Sequence, residues 1–163
     1  MPLPKIPVTR KIFSYLLQWS LSAAVVGCRR DQRRWEMKLL LIEDDEHVAE
    51  VLADAFAADG HETAITHTGE DGLAYLARDR PDAVVLDVRL PTLNGVAVLR
   101  QIRSTDPTLP VIIMTGLATA GELAEVRRLG VTEIVEKPEV LKHFGDALAR
   151  IARRDRARPQ DAT

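Results

Sequence analysis

The sequence predicts an α/β protein built around a doubly wound parallel sheet. From Met37 onward, short apolar runs rich in Leu, Val and Ile alternate with segments whose apolar residues recur at helical spacing. This alternation is typical of repeated βα units. The best-defined runs are apolar throughout, as expected for strands that helices cover on both faces. At 163 residues and 46% hydrophobic content, the chain can form one good core, so we expect one domain.

Five strands and five helices are predicted in strict alternation. The strands are 39–42, 62–66, 82–87, 110–115 and 131–136, and the helices are 46–58, 69–78, 94–104, 119–129 and 140 to about 153. Gly60 and Gly130 mark two of the helix ends, and Pro81 introduces the third strand. The second strand is the least apolar of the five, so we expect it at an edge of the sheet.

Five polar residues stand where the predicted strands end. Asp44 and Asp45 follow the first strand, Asp87 closes the third, Thr115 closes the fourth and Lys137 follows the fifth. Parallel strands bring their carboxyl ends to one edge, where reactive groups belong. Three carboxylates placed together would raise one another's pKa, and a divalent cation is the simplest way to offset their charge. For Asp45 alone a structural role remains open, because a strand-end Asp often caps the next helix.

The order Asp44-Asp45, Asp87, Thr115 and Lys137-Pro138 on five βα units resembles the receiver domain of two-component response regulators. The resemblance covers the whole body of the chain. It implies the flavodoxin-like (βα)5 arrangement with strand order 2-1-3-4-5. It also implies that a histidine kinase or a histidine phosphotransfer protein is the partner that supplies a phosphoryl group.

The resemblance assigns a role to each strand-end acid. Asp87 corresponds to the phosphoacceptor, and Asp44 and Asp45 correspond to the pair that helps to hold Mg²⁺. The backbone carbonyl of Arg89, two residues after the acceptor, corresponds to a further metal ligand, so the side chain there need not match. A carboxylate attacks a phosphoryl group only where negative charge is neutralised, which a hard cation with oxygen ligands does well.

Lys137 and Thr115 correspond to the residues that sense the phosphoryl group. Lys137 would act as a point charge on one phosphoryl oxygen, and Thr115 would donate a hydrogen bond to another. Pro138 corresponds to the family's cis peptide, which aims the lysine inward. Gly95 corresponds to the glycine that allows a tight entry into the third helix.

One position departs from the family pattern. Three residues before the lysine the family has an aromatic residue that rotates during switching, and here Ile134 stands in that place. An isoleucine cannot reproduce a ring flip. We therefore expect a smaller or different shift of the output face, roughly residues 119–153, read by a downstream partner protein. After the last helix about ten residues remain, so signalling by protein contact is expected.

Other functions have weaker support. A phosphorylation-independent interaction module on the same fold is one alternative. A haloacid-dehalogenase-like phosphatase is another, but its nucleophile follows the first strand in an Asp-x-Asp pattern, whereas Asp44 and Asp45 are adjacent. A flavin or nucleotide binder would need a Gly-rich phosphate loop where Glu43-Asp44-Asp45-Glu46 stands. The chain is not expected to be an enzyme beyond its own phosphorylation and dephosphorylation.

Charge divides the chain into three predicted parts. Residues 1–36 carry seven Lys and Arg against two Asp and Glu, or +5, which leaves −7 for the rest. Residues 37–155 form the predicted receiver domain, and 156–163 a flexible tail. The acidic part of the chain after residue 36 lacks the basic patch that direct nucleic-acid binding would need, so such binding is not expected. The single cysteine, Cys28, excludes an internal disulfide.

Three interpretations of residues 1–36 remain open. The segment is an extension upstream of a natural start at Met37, an amphipathic or membrane-associated helix, or an export signal ending near Cys28. Membrane contact is expected only if the segment is native. Because the chemistry depends on intracellular phosphodonors, we expect a cytoplasmic protein.

Overall fold

The computed structural model describes residues 36–137 and 140–156. The chain separates into two units, Met1–Arg33 and Arg34–Thr163, and all described residues belong to the second. The predictions for Pro138, for residues 1–35 and for the tail beyond residue 156 lie outside the described residues. No helix within the described ranges is both long and apolar enough to cross a membrane.

The predicted order of elements is confirmed. The strands are β1 Lys38–Ile42, β2 Glu62–Thr66, β3 Ala83–Asp87, β4 Val111–Thr115 and β5 Glu133–Glu136, and the helices are α1 Glu46–Ala58, α2 Gly69–Leu76, α3 Gly95–Thr105, α4 Ala120–Leu129 and α5 Val140–Arg156. All strand pairs are parallel, and their order across the sheet is β2-β1-β3-β4-β5. The doubly wound fold class is therefore confirmed, and β2 lies at an edge as predicted.

Short polar side chains begin four of the helices close to the carboxyl edge of the sheet. Asp45, Thr68, Asn94 and Thr119 are the N-caps of α1 to α4, and each accepts hydrogen bonds from backbone N–H groups of its own first turn. Such caps satisfy donors that have no partner inside the helix. Because each cap follows shortly after a strand, the sequence fixes where each loop at this edge ends.

Alternate residues of the central strands pack against opposite helical layers. On one face Leu39, Leu41, Val85, Ile112 and Met114 contact a layer from α1 and α5 that includes Ala49, Leu52, Phe56, Leu148 and Ile151. On the other face Leu40, Ile42, Val84, Leu86, Val111 and Ile113 contact Val96, Val98, Leu99, Ile102 and Val126. Every residue of β3 and β4 is buried. This rigid centre holds the residues at its carboxyl edge in fixed positions.

Candidate functional site

Asp87 lies at the centre of the carboxyl edge. It is the last residue of β3 and is only 2% exposed. Its Oδ2 lies 2.6 Å from the Nζ of Lys137, and its Oδ1 accepts a hydrogen bond of 3.1 Å from the backbone N–H of Arg89. A buried carboxylate is costly unless it is paired and hydrogen-bonded, and both conditions are met here.

Lys137 bridges two buried acids. Its backbone N–H donates to the carbonyl of Thr115 at 2.8 Å, which holds the residue beside the end of β4. Its Nζ contacts Asp87 and also lies 2.9 and 2.7 Å from the two carboxylate oxygens of Glu43. Burial alone would lower the pKa of Lys137, but the hydrogen bonds to Asp87 and Glu43 outweigh it and raise that pKa. The lysine is therefore firmly cationic.

Glu43 is the acid that sequence patterns did not single out. It is fully buried, and burial raises its pKa despite the opposing effect of Lys137. Its backbone N–H donates to the carbonyl of Thr66 at 3.0 Å, so the pairing of β1 with β2 continues one residue past Ile42. This continuation keeps the Glu43 side chain inside the site. The available signal was its position as the first polar residue after the apolar run.

Three carboxylates form a group that could hold a metal ion. Glu43, Asp44 and Asp87 each offer an oxygen, and these oxygens lie within 4.8 Å of one another. Asp44 is exposed, whereas the other two are buried, so the group opens to solvent on one side. The ammonium of Lys137 offsets only part of the charge of these three acids, so the group keeps an excess of negative charge.

Asp45, which was predicted to be a metal ligand, is the N-cap of α1 in this structure. Its Oδ1 accepts hydrogen bonds from the backbone N–H groups of His47 and Val48, at 3.0 and 3.1 Å, as the N-cap of α1. It does not belong to the group of three carboxylates found among the described residues. The geometry therefore pairs Glu43 with Asp44, one position earlier than predicted, and favours the capping role for Asp45. The physical reason is register, because a shift of one residue reverses the direction of a side chain.

The donor set suits a hard cation. All three carboxylates supply oxygen, the ligand that Mg²⁺ prefers, and Mg²⁺ needs only one or two of them because it keeps several waters. The Oε2 of Glu43 is buried and lies 2.7 Å from the Lys137 ammonium, so an ion bound there would share this oxygen with the lysine. The residues present therefore fit the predicted ion.

Thr115 lies at the same edge, at the end of β4. It is 5% exposed, and its hydroxyl oxygen accepts a hydrogen bond of 2.9 Å from the backbone N–H of Ala118. β4 is paired with β3 so that Asp87 lies opposite Met114, the residue before Thr115. Thr115 is therefore close to the acceptor strand and linked to the loop that follows it.

Gly95 and Ile134 occupy the positions predicted for them in the fold. A Cβ atom at Gly95 would lie 2.1 Å from the carbonyl oxygen of Asp87, so the N-terminus of α3 approaches that backbone as only glycine allows. Ile134 lies in β5 opposite Ile113, half-buried, and packs against the core.

The side chain of Arg89 points away from the metal group. Its Nη2 donates to the carbonyl of Leu117 at 2.7 Å and lies 3.5 Å from the Oε2 of Glu122. This contact joins the loop after β3 to the loop after β4, which a sequence pattern alone did not reveal.

Comparisons with known proteins agree with the fold. The family model of the response regulator receiver domain matches residues 39–149. The response regulator MprA of Mycobacterium leprae is 37% identical over 127 residues, covering 77% of this chain and 54% of that protein. MprA of Mycobacterium avium is 36% identical over 125 residues, with the same coverage of 77% and 54%. The chain thus spans about half the length of the curated relatives it matches.

Solved structures give the same result. A response regulator receiver domain from Clostridium thermocellum has a TM-score of 0.69 at 25% identity, covering 73% of this chain and 96% of that one. A CheY-like receiver domain from Methanospirillum hungatei has a TM-score of 0.68 at 20% identity, covering 74% and 99%, and shows the fold alone. On the strength of the matched residues and the relatives, the chain belongs to the response regulator receiver domain family of two-component signal transduction.

Proposed function

We propose that the chain is a phosphoacceptor receiver that takes a phosphoryl group onto Asp87 with the help of Mg²⁺. One observation carries the proposal: a buried carboxylate at the end of β3 is paired with Lys137 inside a group of three acids. The donor would be the phosphohistidine of a histidine kinase or of a histidine phosphotransfer protein. The intracellular location of such donors makes the cytoplasm the expected compartment.

The geometry of the acids supports one set of metal ligands. Glu43, Asp44 and Asp87 would hold the ion, together with the backbone carbonyl of Arg89. Bound there, Mg²⁺ would neutralise charge on the attacking carboxylate and on the transferred oxygens. Asp45 would contribute through the helix cap that positions Asp44, not as a ligand.

The transfer exchanges a bond between phosphorus and a histidine nitrogen for one between phosphorus and a carboxylate oxygen. An oxygen of Asp87 attacks phosphorus, the P–N bond of the phosphohistidine breaks, and its electron pair returns to the imidazole. Lys137 then pairs with a phosphoryl oxygen in place of the Asp87 carboxylate oxygen that it contacts at 2.6 Å. Thr115 donates a hydrogen bond from its hydroxyl to another phosphoryl oxygen, so its position responds to the new charge.

The output is proposed to be a protein contact made by residues 119–153. α4 follows the Thr115 loop directly, and Lys137 lies between β5 and α5, so both helices are attached to residues that sense the phosphoryl group. Ile134 packs against the core in place of the family's aromatic switch residue. The shift of this face is therefore expected to be smaller than a ring flip would produce.

The test is intact mass measured after incubation with acetyl phosphate, or with a phosphohistidine donor, in the presence of Mg²⁺. The expected result is a gain of one phosphoryl group that EDTA prevents and that Asp87→Asn abolishes. Asp44→Asn should strongly reduce Mg²⁺-dependent phosphorylation, because it removes a metal ligand. Asp45→Asn is the matched control, since Asn keeps the helix cap while removing the same charge, and it should retain phosphorylation.

Two outcomes would contradict the proposal. If folded wild-type protein accepts no phosphoryl group from either donor, the phosphorylation-independent interaction module becomes the better interpretation. If Asp45→Asn loses Mg²⁺-dependent phosphorylation while Asp44→Asn keeps it, the assignment of the metal ligands is wrong. Circular dichroism of each variant separates both outcomes from a loss of fold.

A further inference from the structure

The loop between β4 and α4, residues 116–119, is held mainly by hydrogen bonds, and only Ala118 packs, partly buried, against the core. Its largest side chain, Leu117, is 82% exposed, and Gly116 is also exposed. A loop with few buried apolar contacts opens at low cost. The position of this loop therefore depends mainly on its polar contacts.

Two of these contacts are local. The backbone N–H of Ala118 donates to the hydroxyl oxygen of Thr115 at 2.9 Å. The carboxylate of Glu122 accepts from both the backbone N–H and the hydroxyl of Thr119, at 2.7 and 2.8 Å, in a capping box. Such contacts shape the loop but do not fix it relative to the acceptor strand.

A third contact comes from the other side of the site. The Nη2 of Arg89 donates to the carbonyl of Leu117 at 2.7 Å, across 28 positions in the sequence, and lies 3.5 Å from Glu122. Arg89 itself is held close to the acceptor, because its backbone N–H donates to Asp87. The guanidinium thus connects the loop that carries Asp87 to the loop that carries Leu117.

We propose that Arg89 is a positioning residue that latches the β4–α4 loop to the acceptor loop in the unphosphorylated protein. The latch opens when Thr115 moves toward a phosphoryl group on Asp87, because Ala118 is hydrogen-bonded to the Thr115 hydroxyl and moves with it. The carbonyl of Leu117 is then drawn away from the guanidinium. This second step rests on the proposed function, whereas the latch itself does not.

The first experiment uses unphosphorylated protein and follows amide hydrogen exchange at Ala118 by NMR. Arg89→Met keeps the length of the side chain but removes the donor, and it should speed exchange about two- to tenfold, the range for one net hydrogen bond. Arg89→Lys should restore part of the protection, because an ammonium can still donate to the Leu117 carbonyl. Arg100→Met is the control, since it removes an arginine whose ion pair, with Glu125, lies outside the loop.

The second experiment repeats the comparison on fully phosphorylated protein, with incorporation checked by intact mass. If the latch is open in that state, Arg89→Met and the wild type exchange alike at Ala118. Unchanged exchange in unphosphorylated Arg89→Met would overturn the latch, and a difference that persists after phosphorylation would overturn its opening. A failure to incorporate any phosphoryl group would instead overturn the proposed function and the opening step, while the first comparison still decides the latch.

Discussion

The two loops beside Asp87 are built in opposite ways. The loop after β3 is packed: Val88 and Leu90 are buried, and α3 begins against the Asp87 carbonyl, where a Cβ at Gly95 would lie at 2.1 Å. The loop after β4 is open: Leu117 is 82% exposed, and a Cβ at Gly116 would meet no atom closer than 3.8 Å. One loop is thus tightly packed and its neighbour is open, so the acceptor Asp87 lies between a segment fixed by packing and one that few apolar contacts hold.

The largest expected effect on stability comes from glycine substitutions that test this difference in packing between the two loops. Gly95→Ala should lower the free energy of unfolding by about 3 kcal/mol, because the new methyl group meets backbone that cannot move aside. Gly116→Ala, its counterpart in the open loop, should change it by less than about 0.5 kcal/mol. Urea denaturation of both variants measures the difference. Equal costs would mean that the loops do not differ in packing.

Removal of Lys137 should give the next largest effect. Lys137→Met leaves Glu43 and Asp87 without their shared cation and should cost about 2 kcal/mol in the absence of metal, the usual cost being reduced because the lysine is 28% exposed. The variant should also bind Mg²⁺ more tightly, because the negative charge of the site increases. Thermal unfolding with and without Mg²⁺ checks both effects. A variant as stable as the wild type in EDTA would show that the three charges are not coupled.

Removing the N-cap of α1 should have a smaller effect on the free energy of unfolding. Asp45→Ala removes the acceptor for two N–H groups and should cost about 1 kcal/mol, whereas Asp45→Asn should cost only a few tenths. Mg²⁺ affinity, measured by titration calorimetry, should change little in either variant. A large loss of Mg²⁺ affinity in Asp45→Asn would return Asp45 to the metal site.

The smallest expected effect is the pH dependence of stability that the buried Glu43 contributes. Burial raises the pKa of Glu43 above its ordinary value of 4.5, so the folded state holds that proton more tightly than the unfolded state. The resulting stabilisation is present below pH 4.5 and is lost as the pH rises through the folded pKa. In EDTA, the stability of the wild type relative to Glu43→Gln should therefore fall as the pH rises above 4.5. A difference that grows with pH would show that Lys137 outweighs burial.

Most of the fold could be predicted because each signal in the sequence was local. Apolar runs gave all five strands, and helical spacing with capping residues gave all five helices. Element ends differed by up to three residues, as at α5, which continues to Arg156. Asp87, Thr115 and Lys137 then reached one edge of the sheet simply because parallel strands share it.

The parts of the site that were not predicted depend on single-residue register and on distant contacts. Four acids follow β1 in a row, and which of them turns inward depends on whether β1 ends at Ile42 or one residue later. No pattern in the sequence settles a shift of one residue, so Glu43 was missed. The contact of Arg89 with the Leu117 carbonyl joins two loops, and only the folded chain brings them together.

The exposed side chain of Leu117 offers a position for an optical reporter of signalling. The sequence contains a single cysteine, Cys28, so Cys28→Ser with Leu117→Cys would leave one thiol for a fluorescent dye. At 82% exposure the dye would displace no core contact, and it would sit on the segment that is expected to move when Asp87 gains its charge. Dye emission would then follow the state of the receiver in real time.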